Sequence, residues 1–269
     1  MNITVYLGSR CGNRFCYAEY AYALGSWIAR HGHTLVYGGS RTGLMGKLAD
    51  GALQVGGQVI GVEPQFFMDE ELQHEGLTKL IVTPDLTSRK QQMMDLGDIF
   101  LAFPGGIGTL EEISQVMSQV KLHQMEGRFA FLDFDGYYQP MKALIQQMSD
   151  EGFVDEDWAD AVPFLPSFAA LTAFVLGRDL PRPGETWRHF KNHMYRILDL
   201  ADDAETGETY VVYKTLYGEY RDFIRPLEMF LSEVDHEKYP DVRQRWRFEK
   251  ETGGCCSWNP AISKQYLKP

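Results

Sequence analysis

The chain has 269 residues, 44% of them hydrophobic, and a formal net charge of −11. That length suits one large domain or a medium domain with a small appendage, and its apolar content supplies a core and argues against disorder. The acidic balance disfavours non-specific nucleic-acid binding, and no apolar run approaches the ~20 residues of a membrane-spanning helix, so neither nucleic acid nor membrane is an expected partner.

The N-terminus runs straight into a strand pattern, Ile3 to Leu7, with no signal peptide, so the expected compartment is the cytoplasm. Residues 1–180 carry 12 Lys and Arg against 22 Asp and Glu, while residues 181–269 carry 14 against 15. Any phosphate held by the first part must therefore be gripped locally, by backbone amides and a few arginines. The basic residues Arg243, Arg245, Arg247 and Lys250 read as a solvated face. Cys11 and Cys16 flank the first loop without a second pair to complete a zinc site, and Cys255-Cys256 reads as a surface thiol pair. Neither a metal nor a cofactor is expected.

In chain order, short apolar runs alternate with amphipathic stretches, which indicates a Rossmann-like α/β domain built on a parallel sheet with helices on both faces. The predicted strands are 3–7, 34–37, 58–62, 79–83, 98–103 and 129–133. The predicted helices run through 15–31, 43–55, 87–96, 110–123 and 138–150, and a further one at 167–177 closes the domain. The first strand leads into Gly8-Ser9-Arg10 and the second into Gly38-Gly39-Ser40-Arg41-Thr42-Gly43. Glycines directly after strands mark the carboxyl edge, where open α/β sheets bind ligands. No GxGxxG opens the first helix, which disfavours a dinucleotide.

The most informative stretch is Pro104-Gly105-Gly106-Ile107-Gly108-Thr109-Leu110-Glu111-Glu112, between the buried-strand pattern Ile99 to Phe103 and a helical pattern from Glu111 to His123. Glycines let the backbone approach an oxyanion, and the unpaired amides of the first helical turn point at it. Thr109 adds a hydroxyl. A simple phosphate cradle has no need of a carboxylate directly beyond it, so Glu111 and Glu112 point to chemistry on a phosphorylated ligand.

Beyond Pro181-Arg182-Pro183-Gly184, a linker signal covering 181–185, the pattern changes to β-type runs at Trp187 to Phe190, Met194 to Leu200, Thr209 to Lys214 and Asp222 to Arg225. Asp203 to Glu208 reads as a hairpin turn and Pro226 to Phe230 as a helical turn. Residues 186–250 are expected to form a small β-barrel-like domain, and 251–269 a C-terminal tail. Tyr213, Tyr217, Trp187 and Phe230 suit either an aromatic groove or a barrel core, and the core is the favoured reading because apolar residues mostly pack.

Residues 1–180 resemble the Lonely Guy (LOG) family, nucleoside 5′-monophosphate phosphoribohydrolases that release cytokinin bases and were long labelled lysine decarboxylases. The resemblance rests on Tyr37 to Gly46, Ser88-Arg89-Lys90, Asp98 to Glu112, Asp135 to Tyr138 and Asp150 to Phe153. It implies that Arg89 and Glu112 are catalytic. It also implies that Gly38, Gly39, Gly43, Lys90, Gly105, Gly106, Gly108 and Thr109 bind substrate or its phosphate, and the carboxyl-edge loop after the first strand adds Gly8 and Ser9. The family's dimers, in which a partner helps to close the site, imply a homodimer here. The implied activity is hydrolysis of the N-glycosidic bond of AMP or an N6-substituted AMP, giving free base and ribose 5-phosphate. Thr87-Ser88 and Ser114-Gln115 depart from the family pattern, which leaves base preference open. The alternative is a non-catalytic nucleotide sensor or carrier with the C-terminal domain as output. The tail resembles a small uncharacterised bacterial family through Val211 to Gly218 and Arg225 to Phe230.

Overall fold

The computed structural model describes residues 1–68 and 72–251 of the chain, so Cys255 and Cys256 lie outside the described residues. Contacts between Cα atoms divide it into two compact units, Met1–Ser167 and Phe168 onward.

The first unit runs β1 (Asn2–Tyr6), α1 (Cys16–Arg30), β2 (Thr34–Tyr37), α2 (Gly43–Gln54), β3 (Val59–Pro64), α3 (Gln65–Met68), β4 (Lys79–Thr83), α4 (Leu86–Leu96), β5 (Ile99–Ala102), α5 (Ile107–Lys121), β6 (Arg128–Leu132), α6 (Gln139–Asp150), α7 (Glu156–Ala161) and β7 (Phe164–Leu165). Its seven strands are all parallel and lie in the order β4-β3-β2-β1-β5-β6-β7. The predicted strands and helices are all present, with ends shifted by a few residues. The central strands β1, β2 and β5 are mainly apolar because both faces are covered. Tyr6, Val36, Val62, Phe100, Ala102 and Phe131 share one core with Met93 and Met94 of α4, Ile113 and Val116 of α5, and Ile145 of α6. Ile3, Val5, Leu35 and Leu101 point to the opposite face by the two-residue pleat and are equally buried. The α1–α2 pair contacts the sheet from there. Burying each such side chain contributes roughly 1.5–3 kcal/mol.

The strand order reverses between β1 and β5. Successive β-α units run outward from β1 in one direction, then restart beside it in the other, so the loops after β1 and β5 diverge and leave a crevice at the carboxyl edge. That crevice positions the site.

The second unit contains α8 (Phe168–Leu176), β8 (Thr186–His189), β9 (Met194–Asp202), β10 (Thr209–Thr215), β11 (Asp222–Pro226), α9 (Leu227–Leu231) and β12 (Phe248–Lys250). Its five antiparallel strands lie in the order β11-β10-β9-β8-β12. The core is aromatic, with Trp187 1% exposed, Phe230 0%, Phe248 1% and Tyr213 4%. Tyr217 is 40% exposed, so three of the four aromatics named above are core and the fourth is surface. Ala169 and Ala173 of α8 pack into this cluster. The division at Ser167 therefore falls ahead of the Pro181–Gly184 segment, because small residues on α8 let the helix lie against the β unit. Among the described residues, no helix is long and apolar enough to cross a membrane.

Candidate functional site

At the switch point lies a cavity of about 560 Å³. Two loops form its floor. After β1 the chain turns at Gly8, whose amide donates to Pro104 O at 3.2 Å, knitting the β1 and β5 loops together. Gly105 must be a glycine, since a Cβ there would meet Thr109 Oγ1 at 2.1 Å and Gly8 N at 2.8 Å. The β2 loop is locked by Gly43, which has φ +58° and stands where a Cβ would lie 2.2 Å from Ser9 O.

Helix α5 begins at Ile107, three residues earlier than the pattern suggests. Its N-cap, Gly106, has no side chain to cap the helix, so the first-turn amides are left for a ligand. A Cβ built on Gly106 or Gly108 would meet nothing within 4 Å, so both glycines face open space. Thr109 is 4% exposed and belongs to this turn, so Glu112 projects from the second turn rather than the first. The glycines that look like a break in the sequence are compatible with a helix start, because the first residues of a helix need no preceding hydrogen bonds.

Arg89 comes from α4, whose N-cap Asp85 accepts from Ser88 N at 2.8 Å and fixes the first turn. Its guanidinium donates from Nε to Val62 O at 2.9 Å and from Nη1 to Glu112 Oε1 at 2.7 Å. Both side chains are nearly buried, 11% and 12% exposed. Burial pushes the Glu112 carboxyl above the ordinary carboxylate range, and Arg89 opposes that shift. The Gly38 loop lies against the same guanidinium, with the place of a Gly38 Cβ 2.3 Å from Arg89 Nη2.

Of the residues named from the sequence, Gly8, Ser9, Gly38, Arg89, Gly105, Gly106, Gly108, Thr109 and Glu112 line the one cavity. Gly39 has φ +85° and lies against Glu63. Gly43 acts through Ser9, and Lys90 pairs with Glu111. Tyr137, within the Asp135 to Tyr138 stretch quoted above but given no site role there, donates its hydroxyl to Gly105 O at 2.5 Å, and its ring meets Tyr17 edge-on at 5.9 Å. Its loop turns through Asp135 at φ +60° and Gly136 at φ +74°, with Arg14 of the β1 loop paired to Asp135. An Asp-Gly pair after a strand was the available signal. Leu44, Met45, Phe67 and Met93 make the remaining wall apolar and polarisable.

The arrangement offers amides and a hydroxyl at a helix start, a buried carboxylate held by one arginine, and an apolar recess. Those parts suit phosphate, sugar and base in turn. Among the described residues, no group of three or more His, Cys, Asp or Glu could hold a metal ion.

Residues 45–173 match a family described as "Possible lysine decarboxylase", and residues 185–250 match "Protein of unknown function (DUF1653)". The chain is 42% identical over 154 residues to a cytokinin riboside 5′-monophosphate phosphoribohydrolase of Rhodococcoides fascians, covering 57% of this chain and 78% of that one. It is 34% identical over 165 residues to a probable enzyme of the same name from Oryza sativa subsp. japonica, covering 61% and 74%. Among solved structures, the molybdenum cofactor carrier protein of Chlamydomonas reinhardtii aligns with a TM-score of 0.50 at 23% identity, covering 65% and 94%, which is a likeness of fold. A DUF1653 protein from Bordetella bronchiseptica is 32% identical, covers 28% of this chain and 91% of that one, and has a TM-score of 0.23.

Proposed function

We propose that the chain, which belongs to the Lonely Guy (LOG) family of cytokinin riboside 5′-monophosphate phosphoribohydrolases, hydrolyses a nucleoside 5′-monophosphate to free base and ribose 5-phosphate. The observation that carries this reading is the Arg89–Glu112 pair, 2.7 Å apart and nearly buried in the same cavity as the α5 N-terminus. Phosphate binding by itself gives no reason to bury a carboxylate there.

In this reading the phosphate sits on the first-turn amides of α5, where negative charge meets the positive end of the helix dipole. Thr109 donates its hydroxyl, and Ser9 of the β1 loop supplies another polar contact. The ribose lies over Glu112. Departure of the base leaves a ribosyl cation like that of glycoside hydrolysis, and a carboxylate beside the anomeric carbon stabilises it. Arg89 holds Glu112 in place and balances its charge. The base occupies the wall of Leu44, Met45, Phe67 and Met93, whose apolar, polarisable side chains suit a purine ring. We take AMP as a substrate on equal footing with an N6-substituted AMP, since nothing in that wall demands a prenyl group.

A homodimer accompanies this reading. Phe15 and Ile107, 80% and 81% exposed, flank the loops at the cavity, an arrangement that suits cover by a second copy. The assigned compartment is the cytoplasm, and the acidic charge of the chain supports a small-molecule substrate over nucleic acid.

The test is incubation with AMP, other nucleoside monophosphates and isopentenyl-AMP, with chromatography for base and ribose 5-phosphate. Release that disappears in Glu112→Gln supports the reading. Tight nucleotide binding with no release by the wild-type chain overturns it in favour of a carrier or sensor.

A further inference from the structure

Glu63 has no part in the reaction as drawn above, yet its placement is unfavourable for a purely structural residue. It is 0% exposed, and neither carboxyl oxygen has a hydrogen-bond partner among the described residues. A buried carboxyl without a partner loses its hydration and gains nothing in return, whereas an apolar side chain of similar size would fill the space without that loss.

Its position explains it. Glu63 is the fifth residue of β3, at the carboxyl edge of the sheet. The residue before it supplies Val62 O, which accepts from Arg89 Nε at 2.9 Å. The residue it faces across the β2 loop is Gly39, where the place of a Cβ lies 3.2 Å from Glu63 Cβ and 3.4 Å from Oε2. Gly38, next along that loop, touches the Arg89 guanidinium. The carboxyl therefore lies against Gly39, the neighbour in the β2 loop of the glycine that touches Arg89.

We propose that Glu63 is a positioning residue of this site, the second counter-ion of Arg89, which sets how firmly the arginine grips Glu112 and at what pH Glu112 ionises. The proposal rests on reading Arg89 and Glu112 as the catalytic pair. One guanidinium then pairs with Glu112 directly and acts on Glu63 through its charge. Burial raises both of them and Arg89 lowers both, so ionisation of either competes for the same positive charge. A charged Glu63 draws on Arg89 and frees Glu112 for the ribose, while a neutral Glu63 leaves Arg89 clamped on Glu112. Among the described residues, Tyr37 of β2 is a further titratable group coupled to Glu63; its hydroxyl is held neutral by burial, with Glu63 and Asp50 of α2 adding to the effect. Asp50 in turn pairs with His74 at 3.1 Å.

The experiment titrates the glutamate carboxyls by carbon-13 NMR in the full chain, with Glu63 and Glu112 signals assigned by their loss in Glu63→Gln and Glu112→Gln. In Glu63→Gln, Glu112 is expected to titrate at lower pH. The acid limb of the kcat profile for base release should move the same way, with kcat down about tenfold at neutral pH and KM changed far less. In Arg89→Met, Glu63 is expected to titrate at higher pH. That second variant decides the matter if Glu63→Gln does not fold by circular dichroism. An unmoved Glu112 in folded Glu63→Gln, or an unmoved Glu63 in Arg89→Met, overturns the proposal. If the wild-type chain releases no base from any nucleotide, the catalytic reading falls by itself, and the titrations still report whether Glu63 and Glu112 share Arg89.

Discussion

The two sheets of this chain bury different kinds of residue. The parallel sheet carries ionisable groups at its carboxyl edge: Arg89 and Glu112 nearly buried, and Glu63 wholly so, its carboxyl without a hydrogen-bond partner among the described residues. The antiparallel sheet buries rings, with Phe230 stacked on Phe248 at 4.0 Å and Trp187 meeting Phe230 edge-on at 5.4 Å. Many of its charges pair toward the surface, as in Arg245 with Glu233 at 2.8 Å. Rings stabilise a fold wherever they are covered. Buried charges weaken it unless matched, so the group at the carboxyl edge of the first unit is where the proposed chemistry can be tested.

The comparison breaks most visibly at Glu112. Glu112→Gln should keep its fold by circular dichroism and lose about a thousandfold in turnover, within the 10²–10⁴-fold range typical of one positioned acid–base group. Retained turnover would mean that the buried charges of the first unit are structural after all.

Trp187→Ala tests the other side. Removing a ring from the second unit's core should cost ~3–5 kcal/mol in a denaturant titration, with base release at neutral pH unchanged wherever the first unit stays folded. Turnover that falls in step with the loss would show that the aromatic sheet supports the chemistry.

Gly43→Ala sharpens the picture within the first unit. At φ +58°, with Ser9 O 2.2 Å from the new Cβ, it should cost ~1–3 kcal/mol and raise KM for the nucleotide. Unchanged stability and KM would show that the β1 and β2 loops are not held to each other.

A fourth expectation concerns acid. His189 lies among the rings of the second unit and has its pKa lowered from 6.5 to about 3, mainly by burial and then by Arg225, Arg247 and Lys191. Its folded pKa is below its unfolded one, so the unfolded chain takes up the proton first. The second unit should therefore lose stability as pH falls from about 6.5 toward 3. His189→Phe should flatten that dependence in thermal melts at pH 7 and pH 4.5, and an unaltered slope would place the titrating group elsewhere.

The smallest effect is the alkaline counterpart in the first unit. The folded Glu63 carboxyl is raised by burial, so its contribution is complete below the ordinary carboxylate range and is lost as pH rises through its raised value. Glu63→Gln should raise the melting temperature of the first unit more at pH 8 than at pH 4, by roughly 2–4 °C.

Much of this molecule is legible along the chain. The strands Ile3 to Tyr6 and Ile99 to Ala102 are continuous apolar runs, and a run covered on both faces carries its own signal. The linked glycine loops and the carboxylates Glu111 and Glu112 beyond the last of them follow from local spacing, whereas Arg89 stands out only through the family resemblance. The start of α5 was displaced because Gly106 and Gly108 look like breakers, although a helix N-terminus accepts them. The short elements α3, α7, β7 and β12 have no periodicity of their own, being formed by what lies beside them. Helix α8 reads as a plain apolar helix, and nothing in its residues says which sheet Ala169 and Ala173 will meet.

The sequence by itself determined the order of strands and helices, the glycine loops at the carboxyl edge, and which residue types were on offer for chemistry, because each is set by neighbours a few positions away. Only the tertiary structure decided that Arg89 meets Glu112 across 23 positions of chain, that Tyr137 closes on Gly105, and that the Glu63 carboxyl is buried without a hydrogen-bond partner among the described residues. Burial and pairing are properties of the space between elements, and the protonation of a carboxyl depends on that space rather than on the residues beside it in the chain.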